Sequence, residues 1–358
     1  MRITQIRYYL AGAIFGLLLS TFVNVGYGQT VGRLPIPANC LDSIPSWMSK
    51  SKIPVLAASV IEGGKIKELK IFGKLDNGRS APLNTFFNVA SLTKPVTALT
   101  VLKLADAGDW DLNEPLDRYW IDPDIRTDPR YKKITTRIVL SHQTGFPNWR
   151  SQNPAKKLAF LFDPGTRYGY SGEGFEYLRH ALENKFHRTL QQLADSVLFK
   201  PLGMSHTRYG WNDKLDTALF AEPHDKNGEL IKMTKNTSIV SADWLVTTIG
   251  DYSKFALAVL NQKALSTRLF TEMVTPQVKM QGNAGPKESM GLGWEVITPL
   301  ENGEYLLMHT GSDDGVKTLV LLLPLSGRGM ILFTNGNNGF DVIKQTIKTA
   351  FHLKELTP

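Results

Sequence analysis

Asn88-Val-Ala-Ser91-Leu-Thr-Lys94-Pro-Val-Thr-Ala-Leu99 is the stretch on which the reading of this chain turns. Thr93, Ala98, Leu99, Leu102 and Leu104 keep helical spacing until Asp106-Ala-Gly108 ends the run, which predicts a helix. Pro95 falls in its first turn, where a missing N–H has no intrahelical partner, so it fixes the start rather than breaking the helix. Ser91 and Lys94 then stand three residues apart on one face. An amine so placed can take a hydroxyl proton, one of the few ways to activate a serine without histidine. Ser91 is therefore the candidate nucleophile and Lys94 its base, with the N–H groups at the positive end of the helix facing a developing oxyanion. The same Ser-x-x-Lys spacing also describes an N-cap serine followed by a solvated lysine.

Outward from this stretch the pattern changes period. Upstream, residues 55–61 and 66–72 alternate as strands about the turn Glu62-Gly-Gly-Lys65, a hairpin. Downstream, residues 91 to about 285 read as helices and loops. Thr189-Leu-Gln-Gln192 forms a capping box there, ahead of Leu193, Val197 and Leu198, and Tyr252, Phe255, Ala256, Val259 and Leu260 mark an amphipathic helix. Strands return at residues 293–297, 305–309, 316–323 and 330–333, with a turn at Asn302-Gly303, and residues 341–353 close the chain as a helix. The expected fold is α/β of the α+β type. An antiparallel sheet built from both chain ends (about 45–90 and 286–358) is flanked by helices, and an all-helical region (about 91–285) is inserted, with Ser91 at the junction.

The first 28 residues read as a signal peptide: Arg2 and Arg7, an apolar run from residue 10 to about 19, then small residues near Gly26-Tyr-Gly28. The run is short for a membrane span, which needs about 20 residues. Cleavage near Gly28, or retention as an uncleaved anchor, are the two outcomes; the membrane is a partner only in the second. Residues 29–44 contain proline and read as a loose segment before the main domain, 45–358. The single cysteine, Cys40, allows no internal disulfide, so an exported chain of this kind is held by its core. Without Arg2 and Arg7 the 39 basic and 33 acidic residues leave a formal charge of +6. That mild excess comes with no arginine-rich run or interleaved aromatic patch, so nucleic acid is not an expected partner, whereas anionic substrates are compatible with it.

Two later stretches bear on Ser91. Asp163-Pro-Gly165-Thr-Arg-Tyr-Gly-Tyr170-Ser-Gly172 presents Tyr170 on a turn-rich loop, and a phenol near a lysine ammonium ionises more easily, which suits it to pass protons. His309-Thr310-Gly311-Ser312 ends a predicted strand. Glycine there lets substrate approach the strand edge, and the Ser312 N–H can pair with that of Ser91 as an oxyanion hole.

In this order and spacing the residues resemble the serine β-lactamase and penicillin-binding protein superfamily, in particular its class C β-lactamase branch with DD-peptidase, D-aminopeptidase and esterase relatives. The resemblance extends to Val139-Leu-Ser-His142-Gln-Thr-Gly145, Phe162-Asp-Pro-Gly165-Thr, Pro201-Leu-Gly-Met204-Ser-His-Thr207, Thr248-Ile-Gly-Asp251 and Gly291-Leu-Gly-Trp294. It implies a β-lactamase/transpeptidase-like fold with the site in a cleft. Its implied roles are nucleophile for Ser91, base for Lys94 and proton relay for Tyr170, with substrate binding at Gly172, His309, Thr310 and Gly311. Two departures bear on substrate. Where class C enzymes carry tyrosine-x-asparagine this chain has Tyr170-Ser-Gly172, so the amide that grips an acylamino group is missing. Their lysine-threonine-glycine is His309-Thr-Gly311 here, which offers a titrating histidine as the contact for a substrate carboxylate.

His142 and His206 read as structural hydrogen-bond partners. His180, His187, His224 and His352 lack metal-ligand spacing, so no metal and no cofactor are expected. Gly-x-Ser-x-Gly is absent, which disfavours an α/β-hydrolase. Trp149, Trp244 and Trp294 are candidates to line the cleft, with core packing as the default reading. Two functions follow: an exported serine hydrolase acting on a small ester, D-amino peptide or β-lactam-like substrate, cell-wall-derived peptides included, or a non-catalytic relative that binds cell-wall peptide or a protein through the same cleft. The sequence leaves the oligomeric state open.

Overall fold

The computed structural model describes residues 35–232, 235–280, 288–300 and 303–351. The signal segment, residues 29–34 and Asn302 of the expected turn lie outside them. Among the described residues no helix is long and apolar enough to cross a membrane.

The strands β1 (Val55–Glu62) and β2 (Lys65–Gly73) form the hairpin, turning through Gly63 and Gly64 at φ of 58° and 70°, a pair of left-handed residues that glycine adopts without strain. Three short strands follow inside the inserted region: β3 (Phe87–Asn88), β4 (Arg208–Tyr209) and β5 (Leu245–Thr247). The last third supplies β6 (Val278–Lys279), β7 (Glu288–Met290), β8 (Glu295–Ile297), β9 (Leu306–Asp313), β10 (Val316–Leu323) and β11 (Arg328–Thr334). The main sheet has the order β2-β1-β11-β10-β9-β8-β7-β6, so the hairpin from the start of the chain joins the strands from its end through an antiparallel seam between β1 and β11, in register Leu56↔Thr334 to Ile61↔Gly329.

Both faces of this sheet are covered, because its central strands are apolar at successive positions rather than alternate ones. Val55, Ala57 and Ile61 join Ile331 and Phe333 in one core, while Leu56, Ala58 and Val60 join Met330 and Leu332 in another. The second core is closed by α1 (Ile44–Ser51) and by Val342, Ile343 and Ile347 of the C-terminal helix (Gly339–Ala350). On the first face lies α2 (Thr93–Asp106), in which residues 93–102 and Leu104 are all buried; a helix covered on nearly every side belongs in the interior, and the stretch from Ser91 to Lys94 leads into it. On this face also pack α3 (Thr136–Leu140), α4 (Gly172–Phe186), α5 (Leu190–Ala194), α6 (Lys200–Leu202), α7 (Ile249–Leu260) and α8 (Thr267–Val274), whereas the C-terminal helix, α9, lies on the opposite face with α1. The capping box at Thr189 and Gln192 is formed.

Two expectations are corrected. The segment up to Ile44 is not loose from residue 35 on: Ile36, Cys40, Leu41 and Ile44 are buried against the outer face of the sheet, and the Ile36 N–H donates to Glu62 Oε1 at 2.9 Å. Burial pushes the Cys40 thiol up to about 11. The inserted region is not purely helical, since β3, β5 and β4 pair there as a separate sheet, and β6 lies before the expected return of strands.

Candidate active site

Ser91 sits on the 3₁₀ turn Ala90–Leu92 that feeds α2. Ala90 carries a φ of 49°, a left-handed conformation that costs a side-chain-bearing residue about 1–3 kcal/mol and persists only where the surroundings impose it. They do so here. The Ala90 N–H donates to Asn88 Oδ1 at 2.9 Å, Thr93 Oγ1 donates to the Ala90 carbonyl at 2.6 Å, and Thr318 Oγ1 of β10 donates to the Val89 carbonyl at 2.9 Å. Strand β9 comes equally close: a Cβ on Gly311 would lie 2.5 Å from the Val89 carbonyl oxygen and 2.1 Å from Thr318 Oγ1, so only glycine fits.

Lys94, one turn on, is 1% exposed. Its Nζ lies 3.0 Å from Ser91 Oγ and 2.9 Å from the Ala242 carbonyl oxygen. Burial lowers this amine to about 8, against the opposing pull of the Asp243, Glu176 and Asp313 carboxylates. A lysine poised there has a free lone pair in an appreciable fraction of molecules near neutrality. The segment that carries Ala242 is itself clamped: Ser241 Oγ donates to Glu176 Oε1 at 2.6 Å, and Thr97 Oγ1 of α2 donates to the Ser241 carbonyl at 2.7 Å.

Tyr170 closes the group. Lys94 Nζ lies 4.6 Å from the centre of its ring, and the Ser91 hydroxyl is near enough to favour the ionised phenol. The expectation that lysine eases its ionisation is corrected, because burial, with Tyr168, Glu295 and Asp243 adding to it, outweighs the opposing effect of the Ser91 hydroxyl and raises the phenol above its usual range. Tyr170 therefore stays protonated at neutral pH. Its ring packs on His142 at 4.4 Å between centroids and faces His309 at 6.4 Å.

The two histidines are neutral and of opposite tautomer. His142 Nδ1 accepts the Ser171 N–H at 3.1 Å, which leaves its proton on Nε2. His309 Nδ1 lies 2.8 Å from the Thr310 carbonyl oxygen and donates to it, which leaves Nε2 an acceptor. Neither Nε2 has a protein partner among the described residues. Burial, with Lys94 adding to it, lowers His309 to about 3 and His142 well below its ordinary value. The reading of His309 as a titrating cationic anchor is therefore corrected: at 1% exposure beside an amine, its ring stays uncharged.

Thr310 and Ser312 follow on β9, Ser312 being exposed and opposite Lys317 of β10. Gly172 opens α4, its N–H donating to Asn148 Oδ1 at 2.9 Å. The missing side chain there is not an open space, since a Cβ on Gly172 would fall 2.7 Å from Trp149 Cη2. Trp294 is core, stacked on Phe255. Trp244 is not an ordinary core residue, with a φ of 59° directly after Asp243.

Sequence reasoning missed Asn88, which shapes the turn bearing Ser91 and reaches Asp313 Oδ2 at 3.3 Å, and Asp243, whose carboxyl is pushed up to about 7 by burial and Asp313 while Lys94 opposes the shift. Asn88 stands beside the motif; Asp243 has no local signal. Next to Tyr170 opens a cavity of about 460 Å³ with apolar walls at Phe146, Leu161 and Phe162 and side-chain amides at Asn148, Gln152 and Asn153. Among the described residues no group of three or more His, Cys, Asp or Glu side chains is arranged to hold a metal ion.

The chain is similar to the D-alanyl-D-alanine-carboxypeptidase/endopeptidase AmpH of Escherichia coli (strain K12), at 23% identity over 305 residues, 76% of this chain and 77% of that protein. Its fold is similar to that of a D-alanine carboxypeptidase AmpC from Burkholderia cenocepacia, with a TM-score of 0.72 at 20% identity over 89% of this chain and 97% of that one. A D-stereospecific amidohydrolase from Streptomyces sp. gives a TM-score of 0.70 at 19% identity, over 88% and 99%. The match that spans the strands of both ends and everything between them is to the Beta-lactamase family, over residues 42–353, and the chain belongs to that family.

Proposed function

We propose that this chain is an exported serine hydrolase that works through an acyl-enzyme on Ser91. The observation that carries the reading is the 3.0 Å contact between Ser91 Oγ and a buried Lys94 amine held at about 8. Lys94 takes the Ser91 proton as Oγ attacks the substrate carbonyl, and Tyr170, protonated beside Ser91, relays a proton to the leaving group. The backbone N–H groups of Ser91 and Ser312 receive the oxyanion, an assignment supported by the close packing of β9 on the Ala90–Leu92 turn. Water then attacks the ester carbonyl, and the same two side chains return the proton to Ser91.

The substrate class we favour is an uncharged acyl group, a D-amino peptide or small ester, seated against the apolar and amide walls beside Tyr170 and against Thr310 and Gly311. The names of the similar proteins support D-amino substrates. The neutral His309 supports substrates that need no carboxylate anchor, and Trp149 over Gly172 supports poor turnover of β-lactams. Labelling with a fluorophosphonate followed by peptide mapping tests the assignment. Adduct on Ser91 alone is the expected result, and adduct on another serine overturns it. No adduct on a folded protein leaves the non-catalytic binding module as the better reading. Export is tested by intact mass of protein from the cell envelope, with a mature start near Gln29 expected and a species beginning at Met1 pointing to a retained anchor.

A further inference from the structure

A second cavity, of about 640 Å³, is lined by none of the residues assigned to catalysis. Its walls come from the π-helical turn Asp195–Phe199, the start of α6, the loop before β4, β4 itself and the segment around Lys214. A volume of this size takes a small organic molecule. Phe86 and Phe199 supply apolar surface on it.

The charged groups around the cavity are unevenly matched. Arg208 has no hydrogen bond or ion pair from its guanidinium to any described residue, and its Nε is wholly buried. Asp195, the one carboxylate on the wall, acts on it only at longer range and accepts a hydrogen bond from Gln191 Nε2 at 2.8 Å. Lys200 and Lys214 also line the cavity, are exposed, and likewise have no partner among the described residues. His206, at the rim, is tied to Ser205 Oγ at 3.2 Å. Three cations without a partner among the described residues thus line the cavity with one described carboxylate, Asp195, while Asp251, behind the wall, is held by the His206 N–H and Lys254. Burying part of a guanidinium without a partner is unfavourable, and the planar fork of arginine matches the oxygens of a carboxylate or phosphate.

We propose that this cavity is a binding site for a small organic anion, an oxyanion carried on an apolar or aromatic body. The oxyanion pairs with Arg208, Lys200 and Lys214 supply the surrounding field, and the body packs on Phe86 and Phe199. Carboxylates and phosphate monoesters share this chemistry, and the net positive charge of the chain, +8 over the full sequence, favours the approach of either.

Isothermal titration of the full chain with phenyl phosphate and with benzoate tests the proposal and tells the two oxyanions apart, with benzyl alcohol and inorganic phosphate as probes of each half of the ligand. Saturable one-to-one binding of at least one aromatic anion is expected, tighter than inorganic phosphate, absent for benzyl alcohol and weakened by salt. Arg208→Gln should weaken it more than about tenfold, as loss of a charged hydrogen bond does. Lys200→Gln and Lys214→Gln, on exposed side chains, should each weaken it up to about fivefold and reduce the salt dependence, whether or not Arg208→Gln folds. The KM for an ester hydrolysed at Ser91 should not change with bound anion. Binding that is unaltered in the lysine variants, competition with the ester, or no saturable binding of either aromatic anion below about 10 mM overturns the proposal.

Discussion

The indole of Trp149 occupies the space that any side chain at residue 172 would need, with Cη2 only 2.7 Å from where a Cβ of Gly172 would stand. Gly172→Asn therefore does not simply restore a missing amide. Overpacking of this kind costs roughly 1–3 kcal/mol, to be read as a lowered unfolding free energy in urea. With Trp149→Ala the room exists, so the double variant should be less destabilised than the sum of the two single changes. Acylation by penicillins should improve only in the double variant; improvement in Gly172→Asn alone would show that the indole moves aside freely.

Ser91→Ala should abolish covalent labelling and hydrolysis. Lys94→Met should lower acylation by about 10²–10⁴-fold with the fold retained, the range for a positioned proton acceptor. Because the amine acts unprotonated, kcat/KM should rise with pH through about 8 and level off above it. A pH-independent rate between 6 and 9 would remove Lys94 as the base.

Asp243 acts on the same profile from a distance. Its ionised carboxylate favours the ammonium form of Lys94, so Asp243→Asn should shift the rising limb of the pH–rate curve to lower pH. Stopped-flow acylation across the pH range reads this directly. A limb that stays in place would show that Asp243 and Lys94 do not communicate.

His309 gives two further expectations. Being uncharged above about pH 3, it should leave the pH profiles for acidic D-peptides and neutral esters parallel across neutrality. It should also make the protein acid-sensitive. In the unfolded chain a histidine takes a proton below about 6.5, but folded His309 resists it until about 3, so stability falls as pH drops through that window. His309→Gln removes this linkage, and relative to the parent its stability should gain up to about 1.4 kcal/mol per pH unit of acidification. Melting curves at pH 7, 6, 5 and 4 measure the difference.

Sequence carried the local part of this structure. The helix after Ser91, the hairpin about Gly63 and Gly64, and the capping box at Thr189 each depend on residues a few positions apart, and each is formed. The serine, lysine and tyrosine were legible as well, because their spacing and neighbours follow a family pattern. What pattern reading could not supply was desolvation. Tyr170 resists ionisation and His309 is uncharged because chain from other parts of the sequence closes over them, and no motif records that. Strands β4 and β5, of two and three residues, are too short to show an alternation, and the approach of Ala242 to Lys94 spans 148 residues.

The seam between β1 and β11 sets the order in which this molecule can become itself. Val55 donates its N–H to Asn335 Oδ1 at 2.8 Å across 280 residues, and the turn bearing Ser91 is held by Thr318. Contacts of such separation form late and slowly, since a very long loop has to close before they stabilise anything. While it is being made, the chain holds its serine and lysine long before it holds a strand to brace them. A fragment ending before residue 316 should therefore expose the apolar edge of the hairpin and stay inert, and adding residues 303–358 as a separate peptide should restore labelling at Ser91.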